Sequence, residues 1–462
     1  VQVGGARQLA CRFERADVIV ALDPDFLTAD LDSLRSARGF ADRRRLSPSG
    51  DKTAGMNRLY AVEPHYTATG SMADHRLRLK PSRAAAAALA LVRALTDHNP
   101  SGLDGFANEN GLNAGVLRGL AADLARHRGA AVAVCGPALP PEAREAVSQL
   151  SALLGAKGRL IEECHEHSGL GAVKEALEDA SKGKFSAAIF WGANPAYSFP
   201  DAALWKRALA GLPVKASIGL HVDETALDCG VVFPENNWLE SWGDHESDSG
   251  LLSLQQPAIG PLYDTLQGED VLLRLTPAPR KEYRLYLEDR WRKKVYSADA
   301  GSFERFWTAC LHDGFLRGKV RTAAALKRGP NSAKISAAPR LDGFELILSP
   351  SVMVFDGRYA GNGWLQETPD PLTKQTWGNA LMVSVADAGR LGLREGQVVR
   401  VGAGDASTRS EISRSVYSKS GAGKRCSTLC SSLTSNLPLL VRLARMFATE
   451  NDRGLRRLNA SN

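Results

Sequence analysis

The 462-residue sequence predicts an α/β protein of two doubly wound parallel-sheet lobes followed by a small β-barrel, incomplete at its C-terminal end. Three observations predict this. Short apolar runs rich in β-branched residues, of the kind that fill strands covered on both faces, recur and stop at Gly or Asp-Pro. Helix-forming stretches alternate with them, as the crossovers of a parallel sheet require. Beyond residue 340 the chain turns to short strands broken by Gly and Pro, a barrel signature.

Residues 14–22 end in the run Val18 to Leu22, and Asp23-Pro24 stops it. A helical stretch from Leu31 to Arg45 follows, and Arg58 to Glu63 reads as the second strand of a β-α-β unit. Residues 82–97, with alanines at 84–88, form a helix by propensity. Gly129 to Gly136 is a strand between glycines, and Pro141 to Leu154 is a helix with Pro in its first turn and Gly155 past its end. Ser186 to Gly192, Val214 to Leu220 and Cys229 to Phe233 supply further strands, and Phe344 to Leu348, Ala380 to Val383 and Gln397 to Val401 those of the barrel. The implied domains are a first lobe at 1–125, a second at 126–279, a basic connector at 280–340, a partial barrel at 341–402 and an anomalous tail at 403–462. From Ser407 to Ser435 that tail holds ten serines and no apolar periodicity. It reads as a disordered linker ending in an amphipathic helix, or as a shifted reading frame near residue 405; the abrupt loss of globular character favours the shift.

Composition narrows the function classes. Hydrophobic residues make up 44% and charged residues 24%, the balance of a globular protein, and no apolar run reaches the ~18–20 residues that span a bilayer. No secretory signal opens the chain, so either it is cytosolic or its true N-terminus is missing. The net charge of +7 is modest; Arg43-Arg44-Arg45 and Arg290 to Lys294 read as solvated helix ends, and no nucleic-acid partner is expected. Of the seven cysteines only Cys426 and Cys430 are close together, and two thiolates do not hold an iron–sulfur cluster, so no Fe–S centre is expected in this chain. His221 with Asp223 and Glu224, and Asp244-His245-Glu246, lack metal-site spacings and read as loop networks. His165 and His167 form the densest potential ligand pair. Trp238, Trp242, Trp364 and Trp377 read as packing anchors or subunit contacts.

Four segments in order resemble the molybdopterin oxidoreductase superfamily. Leu59 to Thr69 with Ala73 to Pro81 is similar to its strand–"DPR-x-T"–"AD-x-hl-x-i-x-P" segment, and Ile189 to Pro195 to its "G-x-N-P" strand end. Asp223 to Pro234, with Glu240 and Gly243, is similar to "TETA-x-x-ADVVLP…E-x-x-G-T", and Val383 to Val399 to the cofactor-capping barrel. Within the superfamily Gly55 to Arg76, Asn236 to Asp244 and Asn362 to Trp377 resemble the large iron–sulfur subunit of bacterial alternative complex III.

The resemblance implies a barrel of the molybdopterin-dinucleotide-binding, double-psi type. It implies a vestigial pterin-dinucleotide cleft at Glu63, Gly192, Asn194, Pro195, Glu224 and Thr225, with Asn194 offering its amide to a nucleotide edge. It further implies Fe–S clusters in a missing C-terminal half, a multihaem cytochrome c and a quinol-binding membrane subunit as partners, and a peripheral place on the periplasmic face of the cytoplasmic membrane. Molybdopterin is not expected. Where cofactor-binding relatives follow "R-P" with Gly-Thr-Asp, this chain has Pro81-Ser82-Arg83-Ala84, and where they show "G-T-x-x-N" it has Gly243-Asp244-His245-Glu246-Ser247, whose carboxylates would repel a pyrophosphate. The expected function is a scaffold half of a quinol-oxidising complex with no catalytic residue of its own. The alternatives are the catalytic subunit of a bis-molybdopterin guanine dinucleotide oxidoreductase and a non-functional gene fragment.

Overall fold

The computed structural model describes residues 7–30, 32–45, 55–166, 170–247, 250–318, 344–377, 380–403, 406–414, 428–431 and 456–457; at 7–9, 162–166, 170–171, 402–403 and in the last three segments it describes backbone alone. The chain forms two compact units, Val1–His167 with Ala324–Asn462, and Ser168–Ala323.

The first unit begins with β1 (Arg7–Cys11), β2 (Val18–Leu22), α1 (Ser33–Asp42), β3 (Arg58–Glu63), α2 (Ala68–Ser71) and β4 (His75–Arg78). Helices α3 (Ala84–Thr96), α4 (Leu103–Asn110) and α5 (Ala114–Arg126) precede β5 (Ala131–Cys135), α6 (Pro141–Leu153) and β6 (Ile161–Glu166), which pairs antiparallel with β1. The order β4-β3-β2-β5 makes a four-stranded, all-parallel sheet. Every residue of β2 and β5 is buried, because the sheet is covered on both faces. The two-residue strand period sends Val18, Val20 and Leu22 into one layer with Leu91, Leu120 and Leu150, and Ile19 and Ala21 into the other with Phe13, Phe26 and Phe40. β5 was assigned to a second lobe at 126–279. It pairs instead with β2, Val20 opposite Ala133, and so belongs to the first sheet. Its position puts the topological switch point between β2 and β5, where the chain's progress across the sheet reverses.

The second unit holds α7 (Leu170–Ser181), β7 (Ala187–Trp191), α8 (Pro195–Ser198), α9 (Ala202–Ala210), β8 (Val214–Gly219), α10 (Glu224–Leu227) and β9 (Val231–Pro234). The strands form a three-stranded parallel sheet, β7-β8-β9. Phe190 and Ala188 pack against the core of Leu177, Leu204, Trp205 and Ala208 on α7 and α9. β10 (Gly243–Glu246) and β11 (Leu251–Gln255) follow, then α11 (Gly268–Leu275), α12 (Tyr283–Lys294), α13 (Phe303–Asp313) and β12 (Phe315–Arg317). The last strand closes an antiparallel β10-β11-β12 sheet. Residues 280–318, expected to be a basic connector, therefore carry two helices and a strand. Trp291, Phe303 and Trp307 supply the buried core there, and Arg292, Lys293 and Lys294 fall in the last turn of α12, where cations complement the helix dipole.

The first unit resumes with β13 (Glu345–Leu348), α14 (Gly363–Glu367), β14 (Ala380–Val383), α15 (Val385–Leu391), β15 (Val398–Ala403), β16 (Ala406–Arg414), β17 (Thr428–Ser431) and β18 (Arg456–Arg457). Among the described residues they form one mixed six-stranded sheet, β13-β17-β14-β16-β15-β18. The serine-rich tail, read from sequence as disordered or out of frame, thus supplies three strands here. Backbone pairing with β13, β14 and β15 needs no apolar alternation, which is why the sequence did not announce it. The rest of the tail, including Cys426, lies outside the described residues. Among these, no helix is long and apolar enough to cross a membrane.

Candidate functional site

In a doubly wound sheet the place for a ligand is the crevice at the C-terminal ends of the strands beside the switch point. A cavity of about 240 Å³ opens there in the first unit. Asp23, Pro64, His65 and Pro137, just past β2, β3 and β5, form its floor, and Leu348 and Met382 of the mixed sheet, with Val352 and Met353 beyond β13, form an apolar wall.

Asp23 leaves β2 with φ +61°, a left-handed conformation that Asp tolerates better than most residues, and its N–H donates to Val62 O at 2.9 Å. A Cβ at Gly136 would lie 2.3 Å from the Asp23 carbonyl oxygen, so glycine is required where β5 ends. Asp25 ties the following turn to α2: its Oδ1 accepts from Thr69 N at 3.0 Å and Thr69 Oγ1 at 2.9 Å, and its Oδ2 accepts from Thr28. Glu63, 2% exposed, accepts from Thr67 Oγ1 at 2.6 Å and from the Arg76 guanidinium, which also donates to His65 O at 3.0 Å. Gly70 is the complement of that pair, since a Cβ there would overlap the Glu63 carboxylate.

Two polar atoms of this floor stand apart. Asp23 Oδ1 and His65 Nδ1 are buried and have no hydrogen-bond partner. Burial, then repulsion from Glu63, Asp30 and Asp25, holds the Asp23 carboxyl well above the usual carboxylate range. Asp30 is pushed up to about 6, by burial first and Asp25 second. Glu63 is raised by burial, although Arg76 and Thr67 pull it back. Burial keeps His65 neutral, lowering it to about 4.

Of the six residues expected to form a pterin-dinucleotide cleft, Glu63 lies in the first unit and the other five come together in the second. Gly192 turns out of β7 with φ +60°, and Pro195 opens α8. The Asn194 side-chain oxygen accepts from Thr225 Oγ1 at 2.8 Å and Thr225 N at 3.3 Å, while its Nδ2 donates to Glu224 Oε2 at 2.7 Å. Thr225, fully buried, in turn accepts from Ala196 N at 3.0 Å. The amide expected to read a nucleotide edge is therefore a brace joining the strand-end loops of β7 and β8: its oxygen is filled and one of its two N–H donors is taken.

Other expectations resolve similarly. Asp223 caps α10 through Ala226 N at 2.8 Å. Asp244, expected to repel a pyrophosphate, has its charge answered by Arg290 Nη1 at 2.6 Å and a further bond from Trp291 Nε1 at 2.9 Å; it anchors α12 to β10. Arg43 pairs with Asp17 and Arg44 with Asp74, so this basic cluster is engaged within the fold. Trp364 and Trp238 are exposed, Trp377 borders the cavity, and Trp242 packs in the aromatic core under Arg284. Among the described residues no group of three His, Cys, Asp or Glu could hold a metal ion, and the His165–His167 pair lies outside the described side chains. The sequence reading passed over Asp23, Asp25, Asp30, His65 and Arg76; Asp23-Pro24-Asp25 directly after a buried-strand run was the signal that could have found the first two.

No protein-family model matches the chain. A curated relative, the menaquinone reductase, molybdopterin-binding-like subunit of Nitratidesulfovibrio vulgaris (strain Hildenborough), is 26% identical over 313 residues, covering 59% of this chain and 45% of that protein. The chain thus spans about half the length of the curated relative it matches. Acetylene hydratase from Pelobacter acetylenicus has a similar fold, with a TM-score of 0.62 at 12% identity over 93% of this chain and 72% of the hydratase. These likenesses support the relationship drawn from the four sequence segments: the chain is molybdopterin-oxidoreductase-like.

Proposed function

From the premise of a molybdopterin-oxidoreductase-like chain, we propose that it is a scaffold in a quinol-linked respiratory complex and carries no pterin of its own. The observation that carries this reading is the carboxylate floor of the first unit's crevice. A dinucleotide brings a pyrophosphate, and anion sites at strand ends offer it backbone N–H groups and cations. Here Asp23, Asp25 and Asp30 line that place beside Arg78 and an Arg76 already paired with Glu63, and like charges at a few ångströms in a partly dry site cost several kcal/mol in rough terms. The Asn194–Thr225–Glu224 brace supports the same reading in the second unit, because it leaves a nucleotide edge one N–H donor of the Asn194 amide and no acceptor. The residues do not fit the dinucleotide, and no redox step is routed through one.

The finer reading is that the chain corresponds to the molybdopterin-like half of an alternative complex III large subunit. Fe–S clusters would then reside in a ferredoxin-like half or a separate chain. The partners would be a multihaem cytochrome c and a quinol-binding membrane subunit, met at the periplasmic face of the cytoplasmic membrane. The curated relative, a subunit of a menaquinone reductase, supports the quinone link. Affinity isolation of the tagged full chain from host membranes tests the assignment. Co-isolation of c-type haem and quinol-dependent reductase activity is expected. Recovery of the chain alone from the soluble fraction, with neither, would contradict it.

A further inference from the structure

We propose that the cavity of the first unit binds a small organic cation, an ammonium head on an apolar body, with the head at Asp23 and His65. This goes beyond the scaffold reading and does not depend on it. The cavity is two-faced. Asp23 and His65 line its floor, and beneath that surface Asp23 Oδ1 and His65 Nδ1 are buried without a hydrogen-bond partner. The neighbouring acids are already engaged: Asp25 by Thr28 and Thr69, Glu63 by Arg76 and Thr67, and Asp370 by Leu372 N at 2.9 Å and Thr373 N at 2.6 Å.

Charge decides the sign of the head. Four carboxylates line the cavity (Asp23, Asp25, Asp30, Asp370) against two guanidiniums (Arg76, Arg78). An anion would add to the repulsion that already raises Asp23, whereas an ammonium relieves it. The opposite wall decides the body: Val352, Met353, Met382 and the Trp377 ring give an apolar surface, and an aromatic face attracts a cation as well. Size allows a ring with a short arm, since a dry cavity of roughly 150 Å³ accommodates benzene and this one is larger.

The test is calorimetric titration of the full chain at neutral pH with 2-phenylethylamine, 2-phenylethanol and 3-phenylpropionate, which share a ring and differ in the head. The amine is expected to bind saturably and roughly tenfold or more tighter than the alcohol, and the carboxylate to show no saturation. Asp23→Asn suits the left-handed backbone at that position and removes the ionisable carboxyl. It should weaken the amine roughly tenfold and leave the alcohol within about twofold. Ala138→Trp, an exposed position on the rim, should abolish binding of the amine without disturbing the core. An amine that binds no tighter than the alcohol overturns the proposal, as does one indifferent to both substitutions. Absence of saturable binding by all three probes overturns it too, and leaves water as the partner of Asp23 and His65.

Discussion

The two parallel sheets are built from the same strand-then-helix units, yet β2 and β5 are buried at all positions while β7 alternates between half-buried and exposed. The first sheet is closed by helices on one face and by the Phe13, Phe26 and Phe40 cluster on the other. In the second, Ala188 and Phe190 face helices, whereas Ile189, Trp191 and Val231 stay more than a third exposed. The strand-end chemistry differs in parallel. The first unit gathers buried acids that repel one another; the second ties its polar groups into a neutral-to-acid brace. The two sheets therefore share a strand-then-helix build and differ in what they offer a ligand. The strand-end loops set that difference.

Five substitutions break or sharpen that contrast. The largest effect should come from Arg76→Gln, which leaves Glu63 buried and without its counter-ion; about 3–5 kcal/mol of the first unit's stability should be lost in denaturant unfolding. Next, Leu22→Ala should cost about 2–5 kcal/mol, against less than about 1 kcal/mol for Ile189→Ala on the exposed face. Equal costs would erase the distinction between the sheets.

A pH titration of stability comes third. His65, lowered to about 4 from 6.5, stays neutral in the fold while the unfolded chain takes up a proton, so its contribution is complete above pH 6.5 and is lost as pH falls toward 4. Asp30, raised from 3.8 to about 6, works oppositely: its neutral form is favoured, and stability falls as pH rises from about 4 to 6. Asp30→Asn should therefore stabilise the protein by roughly 1–2 kcal/mol at pH 7 and expose a steeper acid limb due to His65. Last, Asn194→Ala should cost about 1–2 kcal/mol in the second unit, from the loss of the Thr225 and Glu224 bonds. An unchanged transition would mean that Asn194 is held for a ligand rather than for the loops.

Much of the fold was legible because local signals agreed. The run Val18 to Leu22 stopped by Asp23-Pro24, the alanine-rich helix and the Pro141 helix start each appear within a residue or two of their expected bounds. Which sheet a strand joins was not legible. Ala131 to Cys135 is as apolar as any strand, and nothing local says it returns to β2. Site roles were legible only as positions. Glu63 ends β3, Asn194 follows β7 and Thr225 lies in α10, and their side chains close on Arg76 or on each other; such pairings arise from loop geometry that one-dimensional spacing does not encode. The acidity of the crevice depends likewise on Asp23 facing Glu63 and on Asp30 facing Asp25.

The most direct test of the account is the molybdenum, tungsten and pterin content of the full chain isolated from its host cells, by mass spectrometry of the metal and fluorescence of oxidised pterin. Well below a tenth of an equivalent of either metal, with no pterin, is the expected result in rough terms, since the crevice presents carboxylates where a pyrophosphate would lie. About one metal and two pterins per chain would contradict the account and make this chain a cofactor-bearing oxidoreductase subunit.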